Sequence, residues 1–217
     1  MKVAVFGTGN VGDTIGSRLI ELGHTVMMGS RTANNENALA FVAKHNGKAS
    51  AGNYADAAAF GEIIFNCTAG VGSIEALKMA GEKNLNGKIL VDIANPLDFS
   101  KGMPPSLAVS NTNSLGEEIQ KAFPGIKVVK ALNTMWCGLM VNPNMINGGD
   151  HSTFVSGNDA AAKEEVKKIL KSFGWAEKNI LDLGDITKAR GTEMYLPLWL
   201  SIYGATNNGA FNIKIVS

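Results

Sequence analysis

A glycine-rich turn close to the amino terminus constrains this chain more than any other feature. Residues 2–6 form an apolar run, and a segment of helical period after the turn places Val11, Ile15 and Leu19 on one face. A second apolar run covers residues 24–28. The turn fits the pattern G-x-G-x-x-G and consists of Gly7, Thr8, Gly9, Asn10, Val11 and Gly12. The order of strand, glycine turn, helix and strand predicts a βαβ unit.

Each glycine of this pattern has a physical role when the turn joins a strand to a helix. The first allows the tight turn, the second lets the backbone approach a pyrophosphate, and the third lets helix and strand pack closely. Backbone N–H groups at the start of the helix then face the phosphates with a favourable dipole. A purely structural turn is the alternative. Because the pattern follows the first strand and opens a helix, we predict a dinucleotide site at these six residues.

The residues at the end of the second strand indicate which dinucleotide binds. An NAD site usually carries Asp or Glu there, bonded to the ribose 2′-hydroxyl. This chain instead has Gly29, Ser30, Arg31 and Thr32, with no acid before Glu36. A guanidinium can pair with a 2′-phosphate through two hydrogen bonds, and the hydroxyls of Ser30 and Thr32 can donate to it. Arg31 as a solvated surface residue is the alternative, but the pattern favours NADP over NAD.

Segments of strand and helix character alternate along the rest of the chain, as in an α/β protein with a doubly wound parallel sheet. The further predicted strands cover residues 48–51, 62–67, 88–92, 127–130 and 153–156. The further predicted helices cover residues 34–46, 54–60, 73–81, 113–123, 159–173 and 185–208. Repeats and linkers are missing. We therefore expect a single NADP-binding Rossmann domain over residues 1–217, with residues 184–217 as a C-terminal helical extension for the acceptor and for dimerisation.

Composition and charge argue against several classes of protein. The 217 residues suffice for one α/β domain, and 45% hydrophobic with 18% charged residues is ordinary for a globular protein. A net charge of +1 gives no reason to expect nucleic acid or an anionic membrane as a partner, and no apolar run is long enough to span a bilayer. Cys67 and Cys137 form no C-x-x-C motif, and we expect two buried, inert thiols in a reduced, cytoplasmic protein.

Ligands of open α/β sheets bind outside the carboxyl ends of the strands. Several predicted strand ends in this chain are small or polar, namely Thr68, Ala69, Gly70, Ala94, Asn95, Pro96 and residues 131–134. Small residues at such ends leave room for a flat ring, although they also allow tight turns from strand to helix.

Familiar acid–base constellations are absent from the sequence. His24, His45 and His151 have neither metal-ligand spacing nor the context of a catalytic triad, so we expect no metal site and no catalytic side chain. Lys130 ends a strand, where a lysine that reaches solvent is more common than a catalytic one. Oxidation of an alcohol by NADP needs a base, whereas hydride transfer between two rings needs mainly proximity and stacking. The sequence fits the second case better.

These motifs together resemble those of the NADP oxidoreductases that depend on coenzyme F420, an 8-hydroxy-5-deazaflavin. The resemblance runs the length of the chain and rests on the glycine turn and residues 29–31, 92–97, 129–134, 155–159 and 183–190. It implies NADP binding at Thr8, Ser30 and Arg31, direct hydride transfer between NADPH and the deazaflavin, and commonly a homodimer. The residues that it places near the nicotinamide are Thr68, Ala69, Asn95 and Pro96. The chain has Asn34 and Asn35 where the family often has another cation.

Two other functions remain open. A small-carbonyl or imine reductase would need a proton donor near the nicotinamide, and Lys130 is the best candidate. A non-catalytic NADP sensor would bind NADP tightly without turnover.

The tail carries Tyr195, Trp199 and Tyr203 at helical spacing, with leucines in other directions. A helix that is apolar on more than one face is usually buried on both sides. We therefore expect a homodimer in which the tail packs across a two-fold axis and helps to close the acceptor pocket. The alternative is that the tail folds entirely onto its own sheet.

Overall fold

The computed structural model describes residues 1–216, which form an eight-stranded sheet with helices on both faces and one small separate hairpin. The strands are β1 (Lys2–Phe6), β2 (Thr25–Ser30), β3 (Ala49–Asn53), β4 (Ile63–Asn66), β5 (Ile89–Asp92), β6 (Leu97–Asp98), β7 (Ser106–Leu107), β8 (Lys127–Ala131), β9 (Thr153–Gly157) and β10 (Ile180–Asp182). The hairpin consists of β6 and β7.

Neighbouring strands of the main sheet follow the order β10-β9-β8-β5-β4-β1-β2-β3. The strands from β3 across to β8 are parallel, and their order is that of the doubly wound dinucleotide-binding fold. The predicted fold class is therefore confirmed.

The end of the sheet departs from the prediction of a purely parallel arrangement. β9 runs antiparallel to β8, with Val129 opposite Gly157, and β10 is parallel to β9. Parallel neighbours are usually joined by a crossover helix that covers the sheet. The segment between β8 and β9 instead contains one α-helix of five residues and two short 3₁₀ turns. β10 is a strand that the pattern did not predict.

The helices are α1 (Asn10–Glu21), α2 (Glu36–Lys44), α3 (Tyr54–Phe60), α4 (Ser73–Ala80), α5 (Glu82–Leu85), α6 (Leu115–Ala122), α7 (Cys137–Val141), α8 (Ala160–Ser172), α9 (Ala189–Met194) and α10 (Leu196–Thr206). Four of them begin after a polar side chain that accepts a hydrogen bond from the N–H three residues further on. These capping residues are Asn35, Asn53, Ser114 and Asp159. Such caps satisfy backbone donors that the helix itself cannot pair.

Alternate residues of β1 point into the two halves of the core. Val3 and Val5 pack on one face of the sheet with Ile15 and Leu19 of α1, while Ala4 and Phe6 belong to the cluster on the other face. This burial fixes α1 against the sheet, so its amino terminus stays at the carboxyl end of β1. The predicted apolar face of the first helix is confirmed.

The C-terminal region is helical as predicted, with α9 and α10 meeting at Tyr195, but the helical part ends at Thr206. Residues 207–216 return without regular structure to the start of β9, where the Ser152 N–H donates to the carbonyl of Ile213 at 2.9 Å. In residues 1–216, every helix is too short or too polar to cross a membrane.

Candidate functional site

Two adjoining cavities open at the carboxyl edge of the parallel strands. The larger, which we call the central cavity, has a volume of about 430 Å³ and lies between the glycine turn, the ends of β4, β5 and β8, and α10. The smaller, the side cavity, has a volume of about 330 Å³ and lies between the end of β2 and α4. Thr68, Ala69 and Val71 line both cavities. The two cavities therefore adjoin at these residues, at the point where the strand order reverses.

Each of the three glycines in the turn meets a different structural requirement. Gly7 has a φ of +104°, and a Cβ there would lie 2.5 Å from the carbonyl oxygen of Cys67. A Cβ on Gly12 would lie 2.0 Å from the carbonyl oxygen of Gly7, so only glycine lets α1 start this close to the turn. A Cβ on Gly9 would meet no atom of the described chain within 4 Å, and no side chain caps α1 there. This open cradle before helical N–H groups fits a pyrophosphate.

The predicted residues at the β4 and β5 ends are brought together. A Cβ on Gly70 would lie 2.0 Å from the carbonyl oxygen of Asn95, so the loop after β4 rests directly on the Asn95-Pro96 turn. The Asn95 amide donates to the carbonyl of Asn133 at 2.8 Å, and the Asn133 amide donates back to the Asn95 Oδ1 at 2.9 Å. This reciprocal pair joins the end of β5 to the end of β8.

Half of the predicted binding residues line one or both cavities, and the other half line neither, namely Gly7, Thr8, Gly9, Gly12, Ser30 and Pro96. Those that line the central cavity are Asn10, Val11, Thr68, Ala69 and Asn95. Arg31 is exposed and lines the side cavity with Tyr54, whose pKa is raised by burial. The Ser30 hydroxyl is buried and already donates to the carbonyl of Thr32 at 2.6 Å. Ser30 therefore shapes the loop that carries Arg31.

A buried polar network lies behind Thr68. Asn66 and Asp92, at the ends of β4 and β5, are both fully buried, as is Ser73 at the start of α4. The Asn66 amide donates to Asp92 Oδ1 at 2.8 Å and to Ser73 Oγ at 3.0 Å, and the Thr68 hydroxyl donates to Asn66 Oδ1 at 2.7 Å. The Thr68 and Ser73 hydroxyl oxygens are 2.8 Å apart. A side chain of the cavity wall is thus connected to a buried carboxylate.

Lys130 does not reach solvent, which corrects the expectation from its place at a strand end. Its side chain is 1% exposed, and its ammonium group lies 2.9 Å from Asp92 Oδ2 and 2.8 Å from Glu193 Oε1. Burial alone would lower the pKa of Lys130, but the two carboxylates raise it above its usual value. The lysine also donates to the carbonyl of Ala94. It is a structural cation, and it does not line the central cavity.

Glu193 connects this cluster to the C-terminal helices. Its carboxylate accepts from the N–H groups of Leu115 at 2.7 Å and Gly116 at 3.1 Å, at the start of α6. Burial raises the pKa of Glu193, an effect that the Lys130 ammonium opposes. The contacts tie α9, and therefore the start of α10, to the strand ends that form the site.

The two cysteines are half-buried rather than fully buried, and both line the central cavity. Burial raises the pKa of the Cys67 thiol far above its usual value, so the thiol stays protonated at neutral pH. The Thr14 hydroxyl lies 3.6 Å from the Cys137 sulfur. The described wall of the cavity that both thiols line has no Lys, Arg or His, the cationic neighbours that activate a nucleophilic cysteine.

Several residues of the cavity wall were not predicted. Trp136 is 40% exposed beside the central cavity, and Leu97 and Phe99 extend from the β6–β7 hairpin. Leu196 and Trp199 also line the cavity, and they belong to the tail that was expected to help close the acceptor pocket. Trp136 lies just beyond the end of β8, so the strand-end rule could have found it. The sequence around the hairpin residues does not indicate that they line the cavity, because this depends on where the hairpin packs in the folded chain.

The wall of the central cavity is uncharged. Over the described part of the chain it contains no Lys, Arg, His, Tyr, Asp or Glu. Its polar side chains are the hydroxyl of Thr68, the thiols of Cys67 and Cys137, the amides of Asn10, Asn95 and Asn133, and the indoles of Trp136 and Trp199. Such a wall can hold flat apolar rings and can orient amide groups.

The chain is similar to known oxidoreductases. The sequence model of the family described as NADP oxidoreductase, coenzyme F420-dependent, matches residues 2–96. A protein of known structure from Arthrobacter sp. FB24, provisionally assigned as an F420-dependent NADP reductase, is 53% identical, and each chain covers 100% of the other with a TM-score of 0.95. Metalloreductase STEAP3 of Rattus norvegicus is 27% identical over 91% of this chain, which spans only 38% of that protein. A Streptomyces aurantiacus imine reductase, 18% identical, shares the fold with a TM-score of 0.65 over 95% of this chain and 63% of its own.

Proposed function

The chain belongs to the family of NADP oxidoreductases that depend on coenzyme F420, and we propose that it transfers hydride between NADPH and a planar deazaflavin or flavin-like ring in the central cavity. The protein is an NADP-dependent oxidoreductase, as its family is. When bound, NADPH supplies a hydride and becomes NADP⁺, while the acceptor ring takes up that hydride and one proton from water.

The proposal assigns the cofactor to both cavities. Gly9 and the start of α1 receive the pyrophosphate, because a Cβ at Gly9 has open space before it and the helix lacks a side-chain cap. Arg31, exposed in the side cavity, pairs with the 2′-phosphate. Thr68, Ala69 and the Asn95-Pro96 turn receive the nicotinamide at the junction of the cavities. Gly7, Thr8, Asn10, Val11 and Gly12 complete the turn, and Ser30 supports the loop of Arg31.

One observation carries the choice of a ring as the acceptor: the described wall of the central cavity has no Lys, His, Tyr, Asp or Glu that could act as a general acid. Reduction of a small carbonyl or imine is assisted by a positioned acid, which contributes roughly 10²–10⁴-fold in rate. The central cavity offers no such group among residues 1–216 apart from the two thiols, and Lys130 is held behind the wall by two carboxylates. Ring-to-ring hydride transfer depends on proximity and exclusion of water, which an apolar cavity supplies.

A panel of acceptors tests this proposal. The oxidation of NADPH is followed by its absorbance with deazaflavin, riboflavin, a ferric chelate, a small aldehyde and a cyclic imine. We expect kcat/KM for a ring acceptor to exceed that for the aldehyde and the imine by at least about a hundredfold. Faster turnover of the aldehyde or imine would contradict the proposal and favour a carbonyl or imine reductase. Tight NADP binding without any turnover would favour a sensor.

We further propose that a second copy of the chain covers α10. This helix buries only Leu196, while Leu198 is 56% and Tyr203 is 42% exposed. The Trp199 ring stacks on Tyr203 and on Phe211, with centroid distances of 5.5 and 5.3 Å, and Trp199 also lines the central cavity. Residues 184–217 would then serve both the acceptor site and the dimer within a single domain, in a cytoplasmic protein whose cysteines stay reduced.

Sedimentation equilibrium with two matched variants tests the dimer. Leu198→Glu introduces a charge on α10, and Leu39→Glu does the same on α2, where Leu39 is 50% exposed. Because both residues are exposed in the single chain, neither change should affect folding. We expect a dimer for the wild type and for Leu39→Glu, and a monomer for Leu198→Glu. A monomeric wild type at tens of micromolar would contradict the proposal.

A further inference from the structure

The hydrogen bonds of the buried network behind Thr68 can be assigned donors and acceptors, because Asp92 at one end of the network only accepts hydrogen bonds. Asp92 Oδ2 accepts from the Lys130 ammonium at 2.9 Å, and Asp92 Oδ1 accepts from the backbone N–H of Ala94 at 3.3 Å, so both oxygens of this side chain act as acceptors. The nitrogen of the Asn66 amide must therefore face Asp92 Oδ1, 2.8 Å away. Its oxygen then points the other way, toward Thr68. The ion pair thus decides the orientation of an amide whose two ends look alike in shape.

The orientation of Asn66 decides the role of the Thr68 hydroxyl in turn. Asn66 Oδ1 is an acceptor 2.7 Å from Thr68 Oγ1, so the Thr68 proton must lie between them. Ser73 Oγ already accepts from the Asn66 amide at 3.0 Å, and its own proton is free to be donated to Thr68 Oγ1 at 2.8 Å. The reverse direction would leave the Thr68 and Asn66 oxygens in contact without a proton. Thr68 has therefore used its only donor, and it can offer a ligand only a lone pair.

We propose that Asp92 and Asn66 are positioning residues that make Thr68 a hydrogen-bond acceptor for the amino group of the cofactor's carboxamide. The carboxamide of nicotinamide has a donor end and an acceptor end, and the two can exchange places when the group rotates. An acceptor at Thr68, which lines the junction of the two cavities, selects the end with the NH₂ group. The network thereby sets the orientation of the carboxamide at this junction.

This inference rests on the proposed placement of the nicotinamide. It predicts that the site selects a ring with a carboxamide over a ring with a methyl ketone. A dinucleotide whose ring carries a methyl ketone in place of the carboxamide has no NH₂ group to donate. It leaves the Thr68 lone pair unpaired in a partly desolvated site, which is unfavourable. The protein should therefore discriminate between the two dinucleotides by binding, independently of any acceptor or turnover.

Calorimetric titration measures this discrimination. The probes are NADP, its 3-acetylpyridine analogue with the methyl ketone, and 2′-phospho-ADP-ribose, which lacks the ring. We expect the wild type to bind NADP about tenfold more tightly than the acetylpyridine analogue. Thr68→Val removes the hydroxyl while keeping the shape, and its ratio of the two affinities should fall to about one. Thr68→Ser keeps the hydroxyl and should keep the ratio.

Two further variants test whether the affinity ratio depends on the direction of the hydrogen bonds in the network or only on their number. Ser73→Ala removes a hydrogen bond of the network but leaves the Thr68 proton on Asn66, so the ratio should persist. Asp92→Asn keeps Lys130 paired with Glu193 at 2.8 Å, but it lets the Asn66 amide rotate, so the ratio should fall. If Asp92→Asn does not fold, Asn66→Ala takes its place: it removes the acceptor of the Thr68 proton, so the ratio should fall in the same way, and a ratio that persists would overturn the inference.

The probes also distinguish the two possible failures. A wild type that binds NADP more tightly than 2′-phospho-ADP-ribose but does not discriminate against the acetylpyridine analogue would overturn this inference alone. A ratio that survives in Thr68→Val would do the same. Equal affinities for NADP and 2′-phospho-ADP-ribose would show that the ring is not held at the junction, and would overturn the proposed placement as well.

Discussion

The same substitution at two glycines of one turn should have opposite consequences. In Gly12→Ala the new Cβ would lie 2.0 Å from the Gly7 carbonyl oxygen, a backbone atom, so the turn and α1 must separate by more than an ångström to restore ordinary contact. Forcing a buried, well-packed junction apart in this way costs about 3 kcal/mol. In a chain of this size that corresponds to a fall in Tm of about 10 °C.

Gly9→Ala should leave stability nearly unchanged. Its backbone has φ −83° and ψ −172°, which any residue adopts, and its Cβ would meet no atom of residues 1–216 within 4 Å. The change in the free energy of unfolding should stay within about 1 kcal/mol. The methyl group would, however, occupy the cradle proposed for the pyrophosphate, so the affinity for NADP should fall about a hundredfold.

Urea unfolding and calorimetric titration of both variants test this pair of expectations. A Gly9→Ala protein that binds NADP like the wild type would refute the placement of the pyrophosphate. A Gly12→Ala protein as stable as the wild type would refute the described packing of the turn against α1.

Three further predictions concern Arg31, the pair of Arg190 and Glu117, and the stabilisation of the protein by bound NADP. Arg31→Ala should lose roughly 1.5–3 kcal/mol of NADP affinity while NAD affinity stays unchanged, and calorimetry that showed equal losses would contradict the 2′-phosphate assignment. Arg190 donates to Glu117 at 2.8 Å and lowers the pKa of that carboxyl. The pair therefore adds stability above the unfolded-state pKa of Glu117, near 4.5, and this stability disappears as the pH falls through the lower folded-state value. Arg190→Gln should thus be less stable than the wild type in urea at pH 7, and this difference in stability should shrink as the pH falls below 4.5. A difference that is the same at acid pH as at pH 7 would argue against the pairing. NADP at a hundred times its Kd should stabilise the wild type by about 2.7 kcal/mol, and Gly9→Ala at the same concentration should show almost no thermal shift.

Local patterns predicted the parts of the fold that are determined locally. The glycine turn and the alternation of strands and helices depend on neighbouring residues, and the six parallel strands followed from them. The apolar residues of β9 predicted a strand but did not indicate that it runs antiparallel to β8. The sequence between residues 134 and 153 nevertheless offered a signal, because no crossover helix was predicted there, and that absence favours an antiparallel neighbour.

The site was predictable where strand ends form it and not where distant segments meet. Thr68, Ala69 and Asn95 follow parallel strands, so their convergence on one edge was a consequence of topology. The burial of Lys130 was not predictable, because one of its two partners, Glu193, lies on a helix far along the chain. The tail was expected to help close the pocket, but which of its residues do so depends on where the C-terminal region folds back.

Isotope transfer in a single turnover tests the central claim most directly. NADPH that carries deuterium at C4 of the nicotinamide, in each of its two stereochemical forms, is mixed with the protein and deazaflavin, and the products are analysed by mass spectrometry. Direct hydride transfer in the central cavity predicts that one stereochemical form delivers its deuterium to the carbon of the deazaflavin ring, while the other retains it on NADP⁺. Deuterium released to water, or no transfer to any ring while a small carbonyl or imine is reduced, would contradict the account.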